Sequence, residues 1–534
     1  MLMQNEYLFN EELGIASIQA KSDWHNIAVH TLMQNSKKKQ PSINAYLGAR
    51  YSRSADSIVK IAKEILDAGI DASARLEAIF QGYGHKSVGD MAELFVCIEN
   101  VPMLSAMRAF NVNPVLSGQE RSTRFQNFAN PDFVTIPDAN PLSKGLKSRY
   151  SQIMNQSMQN YIDLKEQTES TLAKHFLIDK DDKKELSALQ ARSFDTLRYF
   201  IPLGVKTSFA LVMSARSWSE YISRLSGSPF VVDREIASLL TELLGGSKEL
   251  VELGYSPEAD NLIRHTEPNS SRDVVAHKIQ EALKLDLDLT KLNYAGKAGR
   301  GFEIMTGVSP VQNLVQNYVL SLNPNVDPSV IKFDTNVIRK ISEIINEFHH
   351  HNNQIGNVGQ SCSYLIDGFA DHGILKDLNR HRSFERYIPL WETFTSIKSE
   401  LDRPTGELFN LCNYLEIPEL SELKTEYKLR FIKTYEQIQK WVSDAYKESP
   451  ATAEEYGRYL LPHGHKTRYR FYASIDDLQY TINLRTRPGG HIAYRSLTDS
   501  WLDTLSDNES YWKPLRNKLE RVSADNRVQF INRS

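Results

Sequence analysis

Two short stretches of the sequence concentrate side chains that can bind an anion. The first runs from Ser117 to Phe125, and its polar or charged members are Ser117, Gln119, Glu120, Arg121, Ser122 and Arg124. Hydroxyl groups beside arginines and backbone amides suit a phosphate, while a glutamine and a glutamate can read a base edge or a ribose. Taken alone, the stretch is interpreted equally well as a polar turn without a ligand.

The second stretch is a cationic cluster formed by Arg380, His381 and Arg382. Burying unpaired guanidinium groups is costly, so the cluster requires either an anionic ligand or an acidic neighbour. A bound anion and an internal network with Glu385 both meet this requirement. Further along, Arg485 to Arg495 adds more cations and His491.

Neither the histidines nor the cysteines indicate a metal site. His349 to His351 directly follow an amphipathic pattern and cannot all face one ion on regular structure, which favours a solvated helix end. Cys97, Cys362 and Cys412 are far apart and form no C-x-x-C pair, so neither a disulfide framework nor a thiolate zinc site is predicted. The sequence predicts a metal-free protein from a reducing compartment.

The elements that position these residues recur along the chain. Leu197–Thr207 and Gly457–Thr467 share the pattern Arg-Tyr-x-x-Pro-x-Gly-x-Lys-Thr at identical spacing. Each copy continues into a predicted strand and then a predicted helix that carries an arginine, Arg224 or Arg485. The chain therefore reads as two related halves in tandem.

Other patterns set the boundaries of the halves. Apolar residues recur at helical spacing between Asp56 and Gly69 and again between Val337 and Phe348, and a strand is predicted over Glu93 to Val101. Glycine-rich Gly296 to Gly301 lacks the Walker A spacing, so it is interpreted as a flexible connector or an anion loop. We predict a first domain over 1–285, a connector over 286–334 and a second domain over 335–534.

Composition excludes several classes of protein. Of the 534 residues, 41% are hydrophobic and 24% are charged, which is typical of a soluble globular protein. The net charge of −3 removes the electrostatic argument for binding a nucleic-acid polymer. The first ten residues lack a signal-peptide pattern, and no apolar stretch of 18 residues occurs. We expect a cytoplasmic protein that does not span a membrane.

The motifs resemble the flavin-dependent thymidylate synthase family, whose signature is R-H-R-x-x-S-x-N-E-x-S-x-R-Y, preceded by G-H-x-S. The first half is similar to the later part of this signature. The residues that match, or replace a family residue, are Gly84, His85, Ser87, Ser117, Gln119 for asparagine, Glu120, Ser122, Arg124 and Phe125 for tyrosine. In place of Arg-His-Arg this half has Val112, Asn113 and Pro114.

The second half shows the complementary pattern, because it keeps Arg380, His381 and Arg382 but shortens the following loop to Ser383–Tyr387. The family's A-R-x-x-L-P element is similar to the sequence at Arg198 and at Arg458. Its N-x-R-S-L…L-R-A helix resembles the residues around Arg216 in the first half and Asn483–Arg485 in the second, with His491 beyond.

The resemblance implies an α/β fold class: two tandem mixed α/β domains that form a pseudo-dimer, and a homodimer equivalent to the family's tetramer. It implies reductive methylation of dUMP to dTMP, with methylenetetrahydrofolate as one-carbon donor, FAD as cofactor and NADPH as reductant. The cofactor-binding residues would be Arg380, His381, Arg382, His85, Ser87, Arg216 and His491. The substrate-binding residues would be Ser117, Gln119, Ser122, Arg124, Arg198 and Arg458, and the catalytic residues Arg485 and Glu120.

Because each half keeps what the other lacks, we predict a hybrid site in which the Ser117–Arg124 loop faces a set of cations from the second half. That set is Arg380, His381, Arg382, Arg458 and Arg485. Two alternatives remain. Gln119 and Phe125 fit an enzyme that modifies a different pyrimidine nucleotide, and the incomplete motifs fit a non-catalytic nucleotide- or flavin-binding homologue.

Overall fold

The computed structural model describes most of the chain, and the described residues are 5–33, 40–52, 54–68, 75–76, 86–112, 117–123, 128, 132–271, 274–275, 278–279, 281, 309–322, 334–348, 359, 361–392 and 396–532. The chain forms two compact units, each assembled from separate stretches. Unit 1 comprises Met1–Ser151, Leu203–Leu289 and Trp441–Leu460, and unit 2 comprises Gln152–Pro202, Thr290–Lys440 and Leu461–Ser534. This division differs from the sequence-based domains 1–285 and 335–534 with a connector over 286–334, and that domain assignment stays a prediction.

A six-stranded antiparallel sheet organises unit 1. Its strands, in chain order, are β1 (Glu6–Asn10), β2 (Ile15–Gln19), β3 (Ala28–Leu32), β4 (Glu93–Pro102), β5 (Ser117–Glu120) and β6 (Lys206–Ser214). Their order in the sheet is β1-β2-β3-β4-β6-β5. In β4, Leu94, Val96 and Ile98 are buried at every second position, as expected of a strand with one face on a core.

Helices complete unit 1, and two further helices contain its boundaries at 151 and 440. In chain order they are α1 (Gln40–Tyr51), α2 (Ile58–Asp67), α3 (Met103–Val112), α4 (Lys144–Asp163), α7 (Ala215–Ser226), α8 (Val231–Gly245), α9 (Lys248–Glu252), α14 (Ser421–Glu448) and α15 (Pro450–Leu460), where α4 and α14 are the two boundary helices. Ser214 caps α7 by accepting a hydrogen bond from the Ser217 amide, which satisfies one of the donors left open at a helix start.

A three-stranded antiparallel sheet organises unit 2. Its strands are β7 (Ser363–Asp371), β8 (Glu385–Tyr387) and β9 (Lys466–Ser474), in the order β7-β9-β8. The helices are α5 (Lys165–His175), α6 (Lys183–Leu197), α10 (Pro310–Leu322), α11 (Thr335–Phe348), α12 (His372–Leu378), α13 (Ile397–Leu401), α16 (Ile475–Arg485), α17 (Ile492–Asn508), α18 (Lys513–Lys518) and α19 (Arg527–Ile531). Tyr364, Phe471 and Trp501 are buried in the core of this unit.

The same three-strand arrangement follows each copy of the repeated motif. β6 lies between β4 and β5, and β9 lies between β7 and β8. The registers also correspond, because Lys206 pairs with Pro102 in one sheet and Lys466 pairs with Asp371 in the other. The fold class is therefore mixed α/β as predicted, and the shared arrangement supports an internal repeat. The tandem pseudo-dimer and the homodimer stay predictions.

The local sequence predictions are confirmed where the structure describes them. The helix predicted from Asp56 to Gly69 is α2, and the one predicted from Val337 to Phe348 lies within α11. The strands predicted after each repeated motif are β6 and β9, and helices α7 and α16 follow them. Gly296 to Gly301 and His349 to His351 lie outside the described residues.

The described residues contain neither a membrane-spanning helix nor a metal-binding cluster. None of the described helices combines the length and the apolar character that crossing a bilayer requires. The described histidines, cysteines and carboxylates contain no group of three or more arranged to hold a metal ion.

Candidate functional site

Two predicted arginines of unit 2 converge on Asp377. Arg198 begins a short 3-10 turn, Arg198–Phe200, directly after α6, and its Nη2 donates a hydrogen bond of 2.9 Å to Oδ2 of Asp377. Arg485 is the last residue of α16, and its Nη2 donates 3.0 Å to the main-chain oxygen of Asp377. Asp377 lies in the last turn of α12. The turn after α6 thus meets α12 and α16 through one aspartate.

Arg198 is a buried guanidinium with two acidic neighbours. Its residue is 2% exposed, Asp377 contacts Nη2, and Asp195 lies 4.0 Å from Nη1. Burial disfavours the charged form, but the two carboxylates outweigh burial and raise the pKa of Arg198 above its ordinary value. The Nε–H of Arg198 has no hydrogen-bond acceptor among the described residues. The group is therefore a fixed cation with a donor still open.

Gly373 leaves the space that Arg198 occupies. A Cβ at this position would lie 3.0 Å from Oδ1 of Asp371 and 3.4 Å from Nη2 of Arg198. Asp371 cannot give way easily, because its Oδ1 accepts from the Ile374 amide at 2.8 Å as the N-cap of α12. Oδ2 of the same aspartate accepts 2.8 Å from Nδ2 of Asn410. Glycine is required at position 373 because the side chains of Asp371 and Arg198 approach its backbone closely.

Arg485 is oriented by a neutral histidine. Its Nε donates to Nε2 of His381 at 2.7 Å, and a guanidinium only donates, so Nε2 must be the acceptor. Nδ1 of His381 then carries the proton and donates 3.1 Å to Oγ1 of Thr481. Burial, followed by the charges of Arg485 and other nearby arginines, lowers the pKa of His381 to about 3. The charge of this pair resides on Arg485.

Tyr494 packs against Arg485, and further contacts hold the loop and helix that carry Tyr494. Its guanidinium carbon lies 5.2 Å from the ring centroid of Tyr494, within cation–π range. His491, the N-cap of α17, is buried with its ring edge-on to Tyr199, the centroids being 5.6 Å apart. Arg192 donates to the carbonyl of Gly490, which fixes the loop between α16 and α17.

The remaining members of the cationic cluster lie in the turn between α12 and β8. Arg380 is exposed, and Arg382 is partly buried. Glu385 is exposed and forms no salt bridge with any residue the structure describes, so the internal network with Glu385 is not formed there. Asp377 instead contacts two other predicted arginines, Arg198 and Arg485.

In unit 1 the corresponding position is filled by protein. Arg458 lies in α15 and pairs with Glu454 at 2.6 Å, and burial lowers its pKa. Phe230, the N-cap of α8, places its ring centroid 5.3 Å from the Arg458 guanidinium carbon and 4.8 Å from that of Arg108. Arg108 itself pairs with Asp233 at 2.9 Å. An apolar ring thus occupies the space that faces both guanidinium groups.

A carboxylate also fills the start of α8. Oε2 and Oε1 of Glu455 accept hydrogen bonds from the amides of Val231 and Val232 at 2.9 and 3.1 Å. Burial raises the pKa of Glu455 to about 7, although these amide bonds favour its charged form. In unit 2 the N-cap of the matching helix, α17, is His491 where unit 1 has Phe230. The two units therefore treat equivalent positions differently.

The predicted loop of the first half forms a strand in unit 1. Ser117 to Glu120 make up β5, in which Ser117 and Gln119 are exposed, and Ser122 follows the strand. The interpretation as a turn is therefore wrong for Ser117 to Glu120. Gly118 permits the pairing, because a Cβ there would lie 2.4 Å from the Ala210 carbonyl oxygen.

Arg216 lies in the first turn of α7 and pairs with Asp90 at 3.3 Å and with Glu220 at 3.4 Å. Its charge is balanced within unit 1. His85 and Arg124 lie outside the described residues, as does the side chain of Ser87.

The predicted hybrid set is divided between the units. Ser117, Gln119, Glu120, Ser122, Arg216 and Arg458 belong to unit 1, whereas Arg198, Arg380, His381, Arg382, Arg485 and His491 belong to unit 2. Arg198 rather than Arg458 therefore shares a unit with Arg485, and it comes from the first half of the sequence. The pairing of Arg458 with Arg485 stays a prediction, as does a facing arrangement with β5.

Comparison with known proteins relates part of this chain to a family. A family model described as thymidylate synthase complementing protein matches residues 31–249. This part of the chain is similar to that family. The matched segment includes β4 to β6 and the first copy of the repeated motif with Arg198. The family of thymidylate synthase complementing proteins thus accounts for one of the two arginines at Asp377.

Two relatives extend the likeness over most of the chain. A UPF0159 protein of Chlamydia pneumoniae is 21% identical over 440 residues, covering 79% of this chain and 76% of the relative. A UPF0159 protein of Chlamydia muridarum is 22% identical over 434 residues, covering 78% of this chain and 76% of the relative. The similarity therefore reaches well beyond the thymidylate synthase complementing protein segment.

Sequence reasoning missed three residues of these sites: Asp377, Tyr494 and Phe230. The signal for Asp377 was present, because a cationic cluster requires an acid and Asp377 lies three positions before Arg380. Tyr494 lies one helical turn from the predicted His491 and shares its side of α17. Nothing in the pattern around Phe230 distinguishes it from an ordinary core phenylalanine.

The neutral state of His381 gives a pH dependence of stability. Its pKa is about 3 in the folded protein and about 6.5 in an unfolded chain. Below pH 6.5 the unfolded chain binds a proton that the folded chain does not, so the free energy of unfolding decreases as the pH falls toward 3. We expect His381→Gln to reduce this slope by up to about 1.4 kcal/mol per pH unit in urea titrations between pH 7.5 and 4.5. Parallel curves for the two proteins would contradict this assignment.

Proposed function

We propose that unit 2 carries the working site of a flavin-dependent thymidylate synthase-type enzyme that converts dUMP to dTMP. The observation that carries the proposal is the convergence of Arg198, from the first half of the sequence, with Arg485 and His381, from the second half, at Asp377. The similarity of residues 31–249 to the thymidylate synthase complementing protein family supports it.

The two arginines have distinct tasks in this proposal. Arg198 binds the nucleotide phosphate, since it is a permanently charged donor whose Nε–H has no acceptor among the residues described. Arg485 hydrogen-bonds a ring carbonyl of the pyrimidine and so stabilises negative charge that develops on the ring. His381 fixes the direction of the Arg485 guanidinium, and Tyr494 supports its face. His381 is thus a positioning residue rather than a direct contact with flavin.

The residues that would hold FAD are Arg380 and Arg382. The family is flavin-dependent, and an exposed arginine followed two positions later by another offers donors that fit a diphosphate. When bound, FAD supplies the hydride that reduces the transferred carbon. The protein's part is to place nucleotide and cofactor side by side and to keep Arg485 charged. Methylenetetrahydrofolate as donor and NADPH as reductant belong to the same proposal.

Unit 1 carries no second working site in this proposal. The Phe230 ring faces both Arg458 and Arg108, and Glu455 occupies the amides at the start of α8. An incoming phosphate would have to displace a buried ring and a hydrogen-bonded carboxylate. Half of the formal sites are therefore structural.

A different pyrimidine nucleotide is the second candidate substrate. The observation that favours it is Asp377, because a carboxylate near Arg485 accepts a hydrogen bond from an exocyclic amine, such as N4 of cytosine, which uracil lacks. Under this alternative Arg198 still binds the phosphate and Arg485 still binds the pyrimidine ring, and only the base differs.

Product formation tests the proposal directly. Flavin-loaded protein incubated with dUMP, methylenetetrahydrofolate and NADPH should form dTMP, and mass spectrometry should show a product 14 Da heavier than dUMP, one CH₂ group. Parallel reactions with dCMP test the second candidate. Product from dCMP alone would replace dUMP as substrate. Loss of all product from a fully flavin-loaded preparation would leave a nucleotide-binding homologue without turnover.

Removal of the Arg485 guanidinium should weaken nucleotide binding. The variant Arg485→Ala loses a charge-assisted hydrogen bond, which costs roughly 1.5 to 3 kcal/mol, about tenfold to a hundredfold in Kd. Arg487→Ala is the matched control, because Arg487 is exposed two positions further along. Calorimetric titration with dUMP measures both. Equal affinities for the two variants would remove Arg485 from the site.

Flavin content tests the assignment of the exposed arginine. We expect Arg380→Ala to lower the FAD that copurifies with the protein, since one charged partner of the diphosphate is lost. Lys398→Ala removes a different exposed charge from unit 2 and should leave FAD content unchanged. The ratio of absorbance at 450 nm to 280 nm reports the content. Wild-type flavin in Arg380→Ala would assign FAD to other residues.

A further inference from the structure

One carboxylate contacts the Arg198 guanidinium, the group to which the proposed function assigns the nucleotide phosphate. The pair between Nη2 of Arg198 and Oδ2 of Asp377 is 2.9 Å long, and the same aspartate receives Arg485 on its carbonyl oxygen. A buried guanidinium requires a counter-charge whether or not a ligand is bound, because an uncompensated buried charge is strongly destabilising. Asp377 provides this charge in the structure as it stands.

Of the two acids near Arg198, only Asp377 has room to move. The side chain of Asp377 is 14% exposed and that of Asp195 is fully buried at 0%. Asp377 is also the penultimate residue of the seven-residue helix α12, where side chains face less packing than in a helix interior. Asp195 is therefore enclosed by the surrounding protein, whereas the side chain of Asp377 borders solvent.

We propose that Asp377 sets the affinity of the site for phosphate, because its carboxylate competes with the ligand phosphate for Arg198. This inference rests on the proposed function for the location of the nucleotide. A phosphate monoester carries close to two negative charges at neutral pH, so it replaces one carboxylate with a net electrostatic gain. A ligand without a phosphate offers no replacement and leaves the Arg198–Asp377 pair intact.

The consequence is that Asp377 lowers the affinity for nucleoside monophosphates, whereas the binding of a nucleoside, which leaves the Arg198–Asp377 pair intact, does not depend on Asp377. The energy of the Arg198–Asp377 pair is subtracted from the binding of every anion, and only a strongly charged group overcomes it. Arg485 keeps neutral side-chain partners, His381 and Tyr494, so its charge adds to the attraction for the incoming anion. Asp377 sets the threshold for this attraction.

Calorimetric titration of the wild type and of Asp377→Asn with three probes tests the inference. The probes are inorganic phosphate, dUMP and 2′-deoxyuridine. We expect Asp377→Asn to bind phosphate and dUMP about tenfold more tightly, because the competing charge is gone, and to bind deoxyuridine with the wild-type Kd. Asp402→Asn removes the same charge at an exposed position of unit 2 and should leave all three values unchanged.

The outcomes separate this inference from the proposed function. Unchanged or weaker phosphate binding in Asp377→Asn would overturn the inference and make Asp377 a scaffold residue. Tighter phosphate binding without any pyrimidine nucleotide binding would support the inference while the proposed function fails. If Asp377→Asn does not fold, Asp377→Ser removes the same charge with a smaller polar side chain, and the same comparison applies.

Discussion

The constraint on which unit 2 depends is the burial of the Arg198 guanidinium. A cation that is 2% exposed must be balanced, and the chain balances it with Asp195 from the same turn and Asp377 from α12. Satisfying Arg198 draws the end of α12 to the end of α6. The carbonyl of Asp377 then receives Arg485, which places the end of α16 and, through the loop to α17, His491. A single buried charge thus gathers elements that are far apart in the sequence.

The arginine of the repeated motif has different surroundings in the two units. Unit 2 contains the complete Arg-Tyr-x-x-Pro sequence at Arg198, and unit 1 contains the first three residues of the second copy, Arg458–Leu460. Each unit also has a central antiparallel strand with a helix after it. In unit 1 a phenyl ring covers the arginine and Glu455 binds the helix start, so that the position is packed and satisfied internally. In unit 2 a histidine replaces the phenylalanine, and the arginines meet a partly exposed aspartate. The Phe230 ring covers Arg458 in unit 1, whereas the partly exposed Asp377 contacts Arg198 in unit 2.

Much of the local structure could be predicted from the sequence, because apolar periodicity and the repeated motif identify β6, β9, α2, α11 and the helices after each strand. The assignment of chain segments to the two units could not be predicted from the sequence. Two copies of one motif carry the same local information, so nothing in either copy states that Arg198 belongs with Arg485. The sequence did not predict a role for Asp377, because that role depends on its contact with Arg198, which lies 179 positions away. The packing of Phe230 against Arg458 is likewise a long-range fact.

The interleaving of segments also governs the order in which the protein can mature during synthesis. Unit 1 takes in Trp441–Leu460, so the unit is complete only when that stretch has left the ribosome, long after β1 has emerged. Contacts of such high sequence separation form slowly and leave apolar strand faces uncovered in the meantime. A nascent chain of this kind needs protection from aggregation until nearly the whole polypeptide is available. Neither half can be lost or exchanged in evolution without removing a segment from both units.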